Sequence, residues 1–427
     1  MLLQLPLKEY PGLKNSLLQL SGNYEFFALL DSNHFEDRYG KYQWLAALGA
    51  KEVIAPSENS FEALQQFCEK GKRWLFGHFN YDLKNQLEKL HSSNPDRFDF
   101  PLLSFWEPQV VIYEKEHNLY VSSEDLHSSK DFEQWLQTHS PHSAQQSVAS
   151  ELKARTSRAQ YLKAIQSLKE HLQFGNIYEV NYCMEFEGQA PIAPVAAFQK
   201  LSRSSPAPFS AFYRWKNQYA MSSSPERFLC KRGSQLISQP IKGTAARSAD
   251  PAQDKEWKNN LLLSEKERAE NVMIVDLVRN DLSRTAARGS VKVNELFGIY
   301  TYPAVHQMIS TVSSQLDEKY HPVQAIRYAF PMGSMTGAPK IKAMEIIDEH
   351  ENFARSLYSG SIGYFDPDGD FDFNVVIRTI LYNARTQYLS ARVGSAITIH
   401  CEAEKEYEEC LLKAQKLLKV LSEENTE

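Results

Sequence analysis

Segments with strand character and segments with helix character occur in blocks along this chain rather than in strict alternation. "YEFFALLDS" (24–32) and "VVIYEKEHNLYVSS" (110–123) are rich in β-branched and aromatic residues, and strand-like sequence also dominates before about residue 247. The stretches 264–282 and 403–422 instead have helical apolar periodicity. Alternating units would give a parallel sheet, so the blocks favour an α+β fold with largely antiparallel sheets.

Two of the helical segments have a well-defined apolar face. The helix predicted from Ser157 ends near Gly175, and its inward face comprises Tyr161, Ala164, Ile165, Leu168 and Leu172. The helix predicted over 264–282 directs inward Met273, Ile274, Leu277 and Val278. A polar stretch at 137–156, rich in Ser, His and Gln, is the best candidate linker. The linker divides an N-terminal segment, 1–140, from a second region, 157–427.

The composition excludes several classes of protein. A formal net charge of −6 without a Lys/Arg cluster argues against a broad nucleic-acid-binding face. No apolar run approaches the ~20 residues that span a bilayer, and the N-terminus has no basic leader, so we expect a cytoplasmic protein. The five cysteines are scattered and form no C-x-x-C pair, which favours reduced, mostly buried thiols.

Four glutamates form two pairs with the same spacing, Glu267 with Glu270 and Glu406 with Glu409. Residues three apart share a helix face. Two such helices facing each other would gather four carboxylates, a hard oxygen site suited to Mg²⁺. The alternative is structural: Ser264 with Glu267 matches a capping box, and glutamates in a first turn complement the helix macrodipole.

Lys242 lies in "QPIKGTAAR" between a strand-like run and a Gly-Thr turn. An amine there could be a nucleophile, which must be uncharged when it attacks, or an ordinary paired lysine. Glu226, after Pro225 in "SSSPERFL", could be a general acid or base, or an exposed carboxylate. The segment 330–349 has small residues before a predicted helix at Lys340, a junction that suits an anionic oxygen. It matches neither the Walker pattern nor G-x-G-x-x-G.

Taken together, eight segments resemble the chorismate-utilising enzymes and occur in that family's order over residues 157 to 415. They are "SSSPERFL", "QPIKGTAAR", "KERAENVMIVDLVRND", "YPAVHQMIST", "GSMTGAPKIKAMEIIDE", "YSGSIGYF", "FNVVIRTI" and "EKEYEEC". The N-terminal segment is a looser match, of the anthranilate synthase component I type. The resemblance implies a two-lobed, anthranilate-synthase-like fold, with antiparallel sheets around a central cleft, helices outside, and the N-terminal segment woven in.

Lys242 relates the chain to one branch of that family. Anthranilate synthases usually carry alanine there, whereas "PIKGT" resembles the aminodeoxychorismate synthases, component I. In that branch the lysine is understood to add to carbon 2 of chorismate while the hydroxyl at carbon 4 leaves. Ammonia then attacks carbon 4 and expels the lysine, giving 4-amino-4-deoxychorismate, a precursor of 4-aminobenzoate and folate.

The resemblance also assigns roles by position. Glu226 matches the general acid that protonates the departing hydroxyl. Glu270 and Glu409 match direct Mg²⁺ ligands, with Glu267 and Glu406 acting mainly through water, and the metal would hold the ring carboxylate. The positions that hold the enolpyruvyl carboxylate are matched by Tyr358 and Arg378. Further substrate-lining positions are matched by Thr244, His306, Thr336, Gly394 and Lys413, although His306 could be a satisfied core histidine and Thr244 a turn residue.

Three positions depart from the family pattern. Glu179 stands where related enzymes often have Gln and isochorismate synthases have a catalytic Lys, which argues against activation of water there. "GSA" at 394–396 replaces a glycine run, and Met332 replaces a glycine. Side chains at the last two places would crowd a backbone approach to the substrate carboxylate.

The resemblance further implies a partner. No cysteine lies in a glycine-flanked nucleophile turn with a His-x-Glu downstream, so ammonia must come from a separate glutamine amidotransferase subunit, and a separate lyase must act on the product. Anthranilate synthase component I is the close alternative, and isochorismate synthase is a more remote one. A non-catalytic protein that senses chorismate or tryptophan is a third, which the intact set of Lys242, Glu226 and four glutamates disfavours.

Overall fold

The structure, a computed structural model, describes residues 2–139, 151–303 and 305–422. These residues form an α+β fold of two antiparallel sheets with helices outside, as predicted. In the same three ranges, every helix falls short of the length or the apolar character that a bilayer crossing requires. The predicted linker at 137–156 falls mostly outside the described residues.

The described residues contain twenty-two strands and eleven α-helices. The strands are β1 Leu2–Pro6, β2 Phe26–Asp31, β3 Trp44–Leu48, β4 Glu52–Ile54, β5 Leu75–Phe79, β6 Leu103–Glu107, β7 Val110–Lys115, β8 Asn118–Ser123, β9 Lys153–Ala154, β10 Glu179–Gln189, β11 Phe209–Trp215, β12 Gln218–Ser224, β13 Arg227–Arg232, β14 Gln235–Gln239, β15 Ile241–Ala246, β16 Lys292–Thr301, β17 Val305–Gln315, β18 Gly337–Ala338, β19 Ser361–Phe365, β20 Phe371–Asn374, β21 Thr379–Asn383 and β22 Tyr388–Ile397. The helices are α1 Leu13–Leu20, α2 Ser60–Glu69, α3 Lys84–Leu87, α4 Ser129–Thr138, α5 Arg158–Gln173, α6 Pro194–Ser204, α7 Pro251–Leu263, α8 Glu265–Ser283, α9 Pro322–Ala329, α10 Lys340–His350 and α11 Ala403–Ser422.

The N-terminal segment contributes strands to both sheets. The first sheet has the order β1-β8-β7-β3-β2-β11-β12-β21-β22-β10-β18, with β9 paired to β10. The second has the order β15-β17-β14-β13-β20-β19-β5-β6-β4, with β16 paired to β17. Every pairing joins antiparallel neighbours, and the contacts β2 to β11 and β5 to β19 bind the N-terminal third to the rest. Residues far apart in sequence therefore share each sheet.

Two hydrophobic cores lie on opposite faces of the first sheet. On β2, Phe26 and Ala28 belong to a core that includes residues of both sheets, whereas Phe27 and Leu29 belong to a core shared with α1, α5, α6, α10 and α11. Successive strand residues point to opposite faces, so a strand buried on both sides reads as a continuous apolar run. "YEFFALLDS" has that pattern because β2 lies between the two cores.

The predicted helices agree with the structure, with small differences at their inward faces. Ser157 caps α5 through a capping box, and Gly175 follows the helix with φ +76°. On α8, Ile274 and Val278 are buried as predicted, but Met273 and Leu277 are only half-buried. The buried face of α8 instead includes Glu270, Asn271 and Asp281, because this helix lies against the polar centre of the molecule.

Candidate active site

Lys242 lies in a bulge of β15. The pairing of β15 with β17 shifts register between Ile241 and Thr244, and Gly243 has φ +97°. A Cβ at Gly243 would lie 3.0 Å from the Glu267 Oε2 atom, so both the backbone angle and the space favour glycine. The bulge explains why a Lys-Gly pair interrupts this strand, and the Lys242 side chain is buried there.

Lys242 forms a buried ion pair with Glu179, the first residue of β10. The Lys242 Nζ donates to the Glu179 Oε1 at 2.6 Å, and the pair joins β15, the first strand in the order of the second sheet, to β10, which lies next to the end of the first sheet. Burial alone lowers the pKa of Lys242, but the charges of Glu179 and Glu270 outweigh it and raise this pKa above its ordinary value. In the free protein the amine is therefore a cation paired with a carboxylate, and it must lose a proton before it can act as the nucleophile predicted from the sequence.

Three further glutamates, Glu226, Glu267 and Glu270, lie within electrostatic reach of Lys242. Glu226 lies in the turn between β12 and β13, and burial raises its pKa to about 7 against the opposing effects of Lys242 and Arg378. Burial also raises the pKa of Glu270 to about 7, and the charges of Glu179 and Glu267 add to the rise. Near neutral pH, each of these two carboxyl groups, Glu226 and Glu270, is therefore partly protonated.

The four glutamates of the predicted metal site lie on α8 and α11, around a lysine. The Lys266 Nζ is 3.9 Å from the Glu270 Oε1 and 3.7 Å from the Glu406 Oε1. Burial raises the pKa of Glu267 and that of Glu406, and each of these carboxylates feels the charge of Glu409. The carboxylates of α8 and α11 thus influence one another's ionisation, and the Lys266 ammonium group lies between two of them, Glu270 and Glu406.

The fit of this cluster to a metal can be tested on its own atoms. Within the ranges described, no three His, Cys, Asp or Glu side chains are close enough together to form a ready-made metal site. Glu270 Oε1 is nevertheless buried without a hydrogen-bond partner, and a buried unpaired carboxylate oxygen is costly. An all-carboxylate donor set with an unsatisfied oxygen and raised pKa values suits a hard cation such as Mg²⁺.

Glu409 and Lys413 occupy the exposed rim of this cluster. Lys413 Nζ lies 2.6 Å from Glu409 Oε1 and donates to the Gly394 carbonyl at 2.8 Å. A Cβ at Gly394 would lie 2.6 Å from the Asn181 Oδ1 and 2.7 Å from the Cys183 Sγ, so only glycine fits that place on β22. Gly394 is followed by strand residues that continue β22 to Ile397, so the "GSA" segment is regular sheet.

The two residues predicted to hold a substrate carboxylate differ in their surroundings. Arg378 has φ +49°, lies within electrostatic reach of Glu226 and Tyr302, and burial lowers the pKa of its guanidinium. Tyr358 is buried with its hydroxyl 4.0 Å from the Cys183 Sγ, and burial holds its pKa well above the ordinary value. Arg378 and Glu226 thus share one electrostatic environment, and Tyr358 is a neutral phenol.

Three predicted substrate-lining residues use their side chains elsewhere or lie exposed. His306 is buried, with Nδ1 3.0 Å from the Thr301 Oγ1 and Nε2 3.0 Å from the Asp254 Oδ1, which favours a satisfied core histidine. The Thr336 hydroxyl donates to the carbonyls of the preceding turn, including that of Met332 at 3.2 Å. Thr244 is exposed on β15.

The junction before α10 is partly used by the sheet. The helix begins at Lys340 as predicted, but Gly337 and Ala338 form β18 and pair with β10, beside Glu179. The Lys340 ammonium group is 2.6 Å from the Asp281 Oδ2. Gly337 and Ala338, in the segment predicted to bind an anion, therefore pair with the start of β10 and help to position Glu179.

Two residues that the sequence analysis did not single out complete the site. Asn271 on α8 donates from Nδ2 to the Lys242 carbonyl at 3.4 Å and accepts at Oδ1 from the Ser310 hydroxyl at 2.6 Å. Lys266 lies among the acidic residues, as described above. Both are neighbours in sequence of the glutamates in "SEKERAEN". For Asn271 the available signal was a polar residue on the buried face of a helix, whereas Lys266 is exposed and gave no such signal.

Comparison with known proteins identifies the class of this protein as a chorismate-binding enzyme. Residues 28–419 match the family described as chorismate binding enzyme, and the chain belongs to that family. Within the family it is similar to aminodeoxychorismate synthase component 1 from Escherichia coli K12, with 36% identity over 425 residues that cover 92% of each chain. It is also 46% identical over 269 residues to aminodeoxychorismate synthase from Streptomyces griseus, covering 62% of this chain and 37% of that protein.

Solved structures agree on the fold. Anthranilate synthase component I from Streptococcus pneumoniae superposes with a TM-score of 0.78 at 22% identity, covering 90% of this chain and 93% of that one. The menaquinone-specific isochorismate synthase from Escherichia coli gives the same TM-score, 0.78, at 17% identity, covering 99% and 94%. The two-lobed, anthranilate-synthase-like fold implied by the motifs is thus confirmed.

Proposed function

We propose that this chain aminates chorismate at carbon 4 with ammonia, giving 4-amino-4-deoxychorismate. The observation that carries the proposal is a buried lysine, Lys242, within electrostatic reach of a buried carboxyl group, Glu226, whose pKa is about 7. A nucleophile and an acid in one desolvated site are what a displacement of hydroxide requires. The similarity to aminodeoxychorismate synthase component 1 supports the same choice.

The two residues divide the chemistry between them. The Lys242 nitrogen adds to carbon 2 of the ring while the hydroxyl at carbon 4 leaves with a proton from Glu226. Ammonia then adds at carbon 4 and the lysine departs from carbon 2, so one difficult displacement becomes two easier ones. A pKa near 7 suits Glu226, because an acid of that strength is still protonated near neutrality and can still give up its proton.

The glutamates of α8 and α11 would hold Mg²⁺, Glu270 and Glu409 directly and Glu267 and Glu406 mainly through water. When bound, the ion would neutralise the ring carboxylate and fix its position. Lys266 gives the cluster a positive charge in the free protein and would have to move aside. Arg378 and Tyr358 would bind the enolpyruvyl carboxylate, since a guanidinium pairs with a carboxylate through two hydrogen bonds.

We further propose that a separate glutamine amidotransferase subunit supplies the ammonia, and that a separate lyase converts the product to 4-aminobenzoate. The name component 1, carried by the Escherichia coli relative, supports a two-component arrangement. Folate synthesis would then be the pathway served.

Mass spectrometry of the product mixture tests the proposal. The purified chain is incubated with chorismate, Mg²⁺ and ammonium, and in parallel with glutamine and a glutaminase subunit. We expect 4-amino-4-deoxychorismate in both reactions, and its conversion to 4-aminobenzoate when a lyase is added. Anthranilate fluorescence in the reaction without a lyase would instead identify an anthranilate synthase.

A further inference from the structure

Among the residues that the structure describes, Glu179 is the only hydrogen-bond partner of the Lys242 ammonium group. Its side chain is 1% exposed, its Oε1 lies 2.6 Å from the Lys242 Nζ, and its Oε2 is buried without a hydrogen-bond partner. A buried ion pair adds little to stability, because desolvation offsets the attraction between the charges. A contribution to folding stability therefore does not explain the Lys242–Glu179 ion pair with its unpaired Oε2 atom, and a chemical role explains it better.

The resting charge of Lys242 poses a chemical problem. An ammonium nitrogen has no free electron pair, so it must lose a proton before it can bond to carbon. Four carboxyl groups lie within electrostatic reach: Glu179 on β10, Glu226 between β12 and β13, and Glu267 and Glu270 on α8. Of these, Glu179 is the one at hydrogen-bond distance from the amine.

The other three carboxyl groups have competing roles. Glu226 must enter the reaction protonated if it is to protonate the departing hydroxyl. Glu267 and Glu270 belong to the cluster assigned to the cation. Proton transfer requires donor and acceptor within hydrogen-bond reach or one water apart, and only Glu179 meets that condition directly.

We propose that Glu179 is the proton acceptor for Lys242, an inference that rests on the function proposed above. As the Lys242 nitrogen bonds to carbon 2, one of its protons passes to the Glu179 Oε1, and the hydroxyl leaves carbon 4 as water with the proton of Glu226. When ammonia adds to carbon 4, the bond from carbon 2 to the lysine breaks and Glu179 returns its proton to the amine. Glu226 recovers its own proton from the new ammonium group, so the cycle closes without an added acid or base.

This role also accounts for the way β10 begins. Val180 and Glu179 pair with Gly337 and Ala338 of β18, and the Tyr178 N–H donates to the Ala338 carbonyl at 2.7 Å. A Cβ at Gly337 would lie 2.2 Å from the Glu179 carbonyl oxygen, so the two strands approach as closely as glycine permits. The backbone at Glu179 is thereby fixed, and a fixed acceptor shortens the proton's path to one hydrogen bond.

Glu179→Gln tests the proposal because it keeps the shape and a hydrogen-bond acceptor but cannot take a proton. We expect kcat for amination to fall by about 10²- to 10⁴-fold, the range typical of a lost general base, with the KM for chorismate near that of the parent. Glu179→Asp retains a carboxylate and should recover part of the loss. Glu187→Gln is the matched control: it lies on the same strand, its partners include Arg155, and it is about 26 Å away at ~3.3 Å per residue.

The pH profile separates a proton acceptor from a simple counterion. With Mg²⁺ held at saturation at every pH, the parent is expected to lose activity as pH rises through about 7, where Glu226 loses its proton. In Glu179→Gln, kcat should also fall as pH is lowered, because the amine must first give a proton to solvent. Removal of the carboxylate lowers the pKa of Lys242. Reductive methylation of Lys242, followed by peptide mass spectrometry, should therefore begin at lower pH in the variant, although the variant turns over more slowly.

If Glu179 is the proton acceptor, Glu179→Gln should have both a Lys242 amine that loses its proton at lower pH and a lower kcat than the parent. Turnover of Glu179→Gln that equals or exceeds that of the parent, with the parent's pH profile, would overturn the inference while leaving the proposed function intact. Failure of the proposed function would instead appear in the parent protein, as the absence of 4-amino-4-deoxychorismate from its products.

Discussion

Replacing Glu226 by glutamine should raise the free energy of unfolding at alkaline pH and should remove the general acid of the amination reaction. Burial raises the pKa of Glu226 from 4.5 to about 7, so the folded state binds a proton that the unfolded chain releases between those values. One pKa unit corresponds to about 1.36 kcal/mol, so an ionised Glu226 costs about 3 kcal/mol of stability above pH 7. That cost is absent below about pH 4.5, where the carboxyl group is protonated in both states.

Urea unfolding at about pH 5 and about pH 8 measures this difference. Glutamine imitates the protonated carboxyl group, so Glu226→Gln should differ little from the parent near pH 5 and exceed its free energy of unfolding by about 2 to 3 kcal/mol near pH 8. Amination by the variant should fall by about 10²- to 10⁴-fold at either pH. A stability gain of the same size at both pH values would refute the reasoning, since it would not come from ionisation of Glu226.

Three further substitutions probe the rest of the site. Lys242→Ala should lose most amination at carbon 4, and product analysis should show a trace of attack at carbon 2. In urea unfolding the variant should lose about 3 to 5 kcal/mol of stability, because the buried Glu179 carboxylate loses its partner. Adding Glu179→Gln to Lys242→Ala should restore much of that stability. An unchanged rate and product would remove the covalent role. Glu409→Gln should weaken the dependence of turnover on Mg²⁺ concentration, since an amide cannot replace a carboxylate charge at a hard cation, whereas an unchanged titration would place the metal elsewhere. Gly243→Ala should cost about 1 to 3 kcal/mol and most turnover, because φ is +97° and the new Cβ would meet Glu267; a fully active variant of parental stability would show that the bulge is not required.

The site depends on the two sheets meeting at one edge. Lys242 comes from the first strand in the order of the second sheet, and Glu179 from β10, next to the end of the first sheet. The helices α8 and α11 cover this meeting point with their glutamates. Because these charged side chains lie near the ends of the two sheets, they do not interrupt either hydrophobic core.

Features that depend on neighbours along the chain could be predicted from the amino-acid sequence. The helices α5, α8 and α11 were predictable because apolar residues spaced three and four apart mark one face. The block arrangement predicted α+β, and eight ordered motifs predicted the family. Lys242, Glu226 and the paired glutamates could be named as candidates because they lie in short local motifs, and their roles were implied by the resemblance to the family.

The interactions among those residues depend on how distant parts of the chain pack together. Lys242 and Glu179 are 63 positions apart, and their contact depends on the bulge in β15 and on the pairing of β10 with β18. The sequence indicated an amine that must be uncharged when it attacks, but only the structure shows the neighbouring carboxylates, Glu179 and Glu270, that raise its pKa against the effect of burial. Lys266 within the acidic cluster and Asp254 against His306 likewise depend on how separate elements pack. Protonation states follow from desolvation and distance, and a linear pattern contains neither quantity.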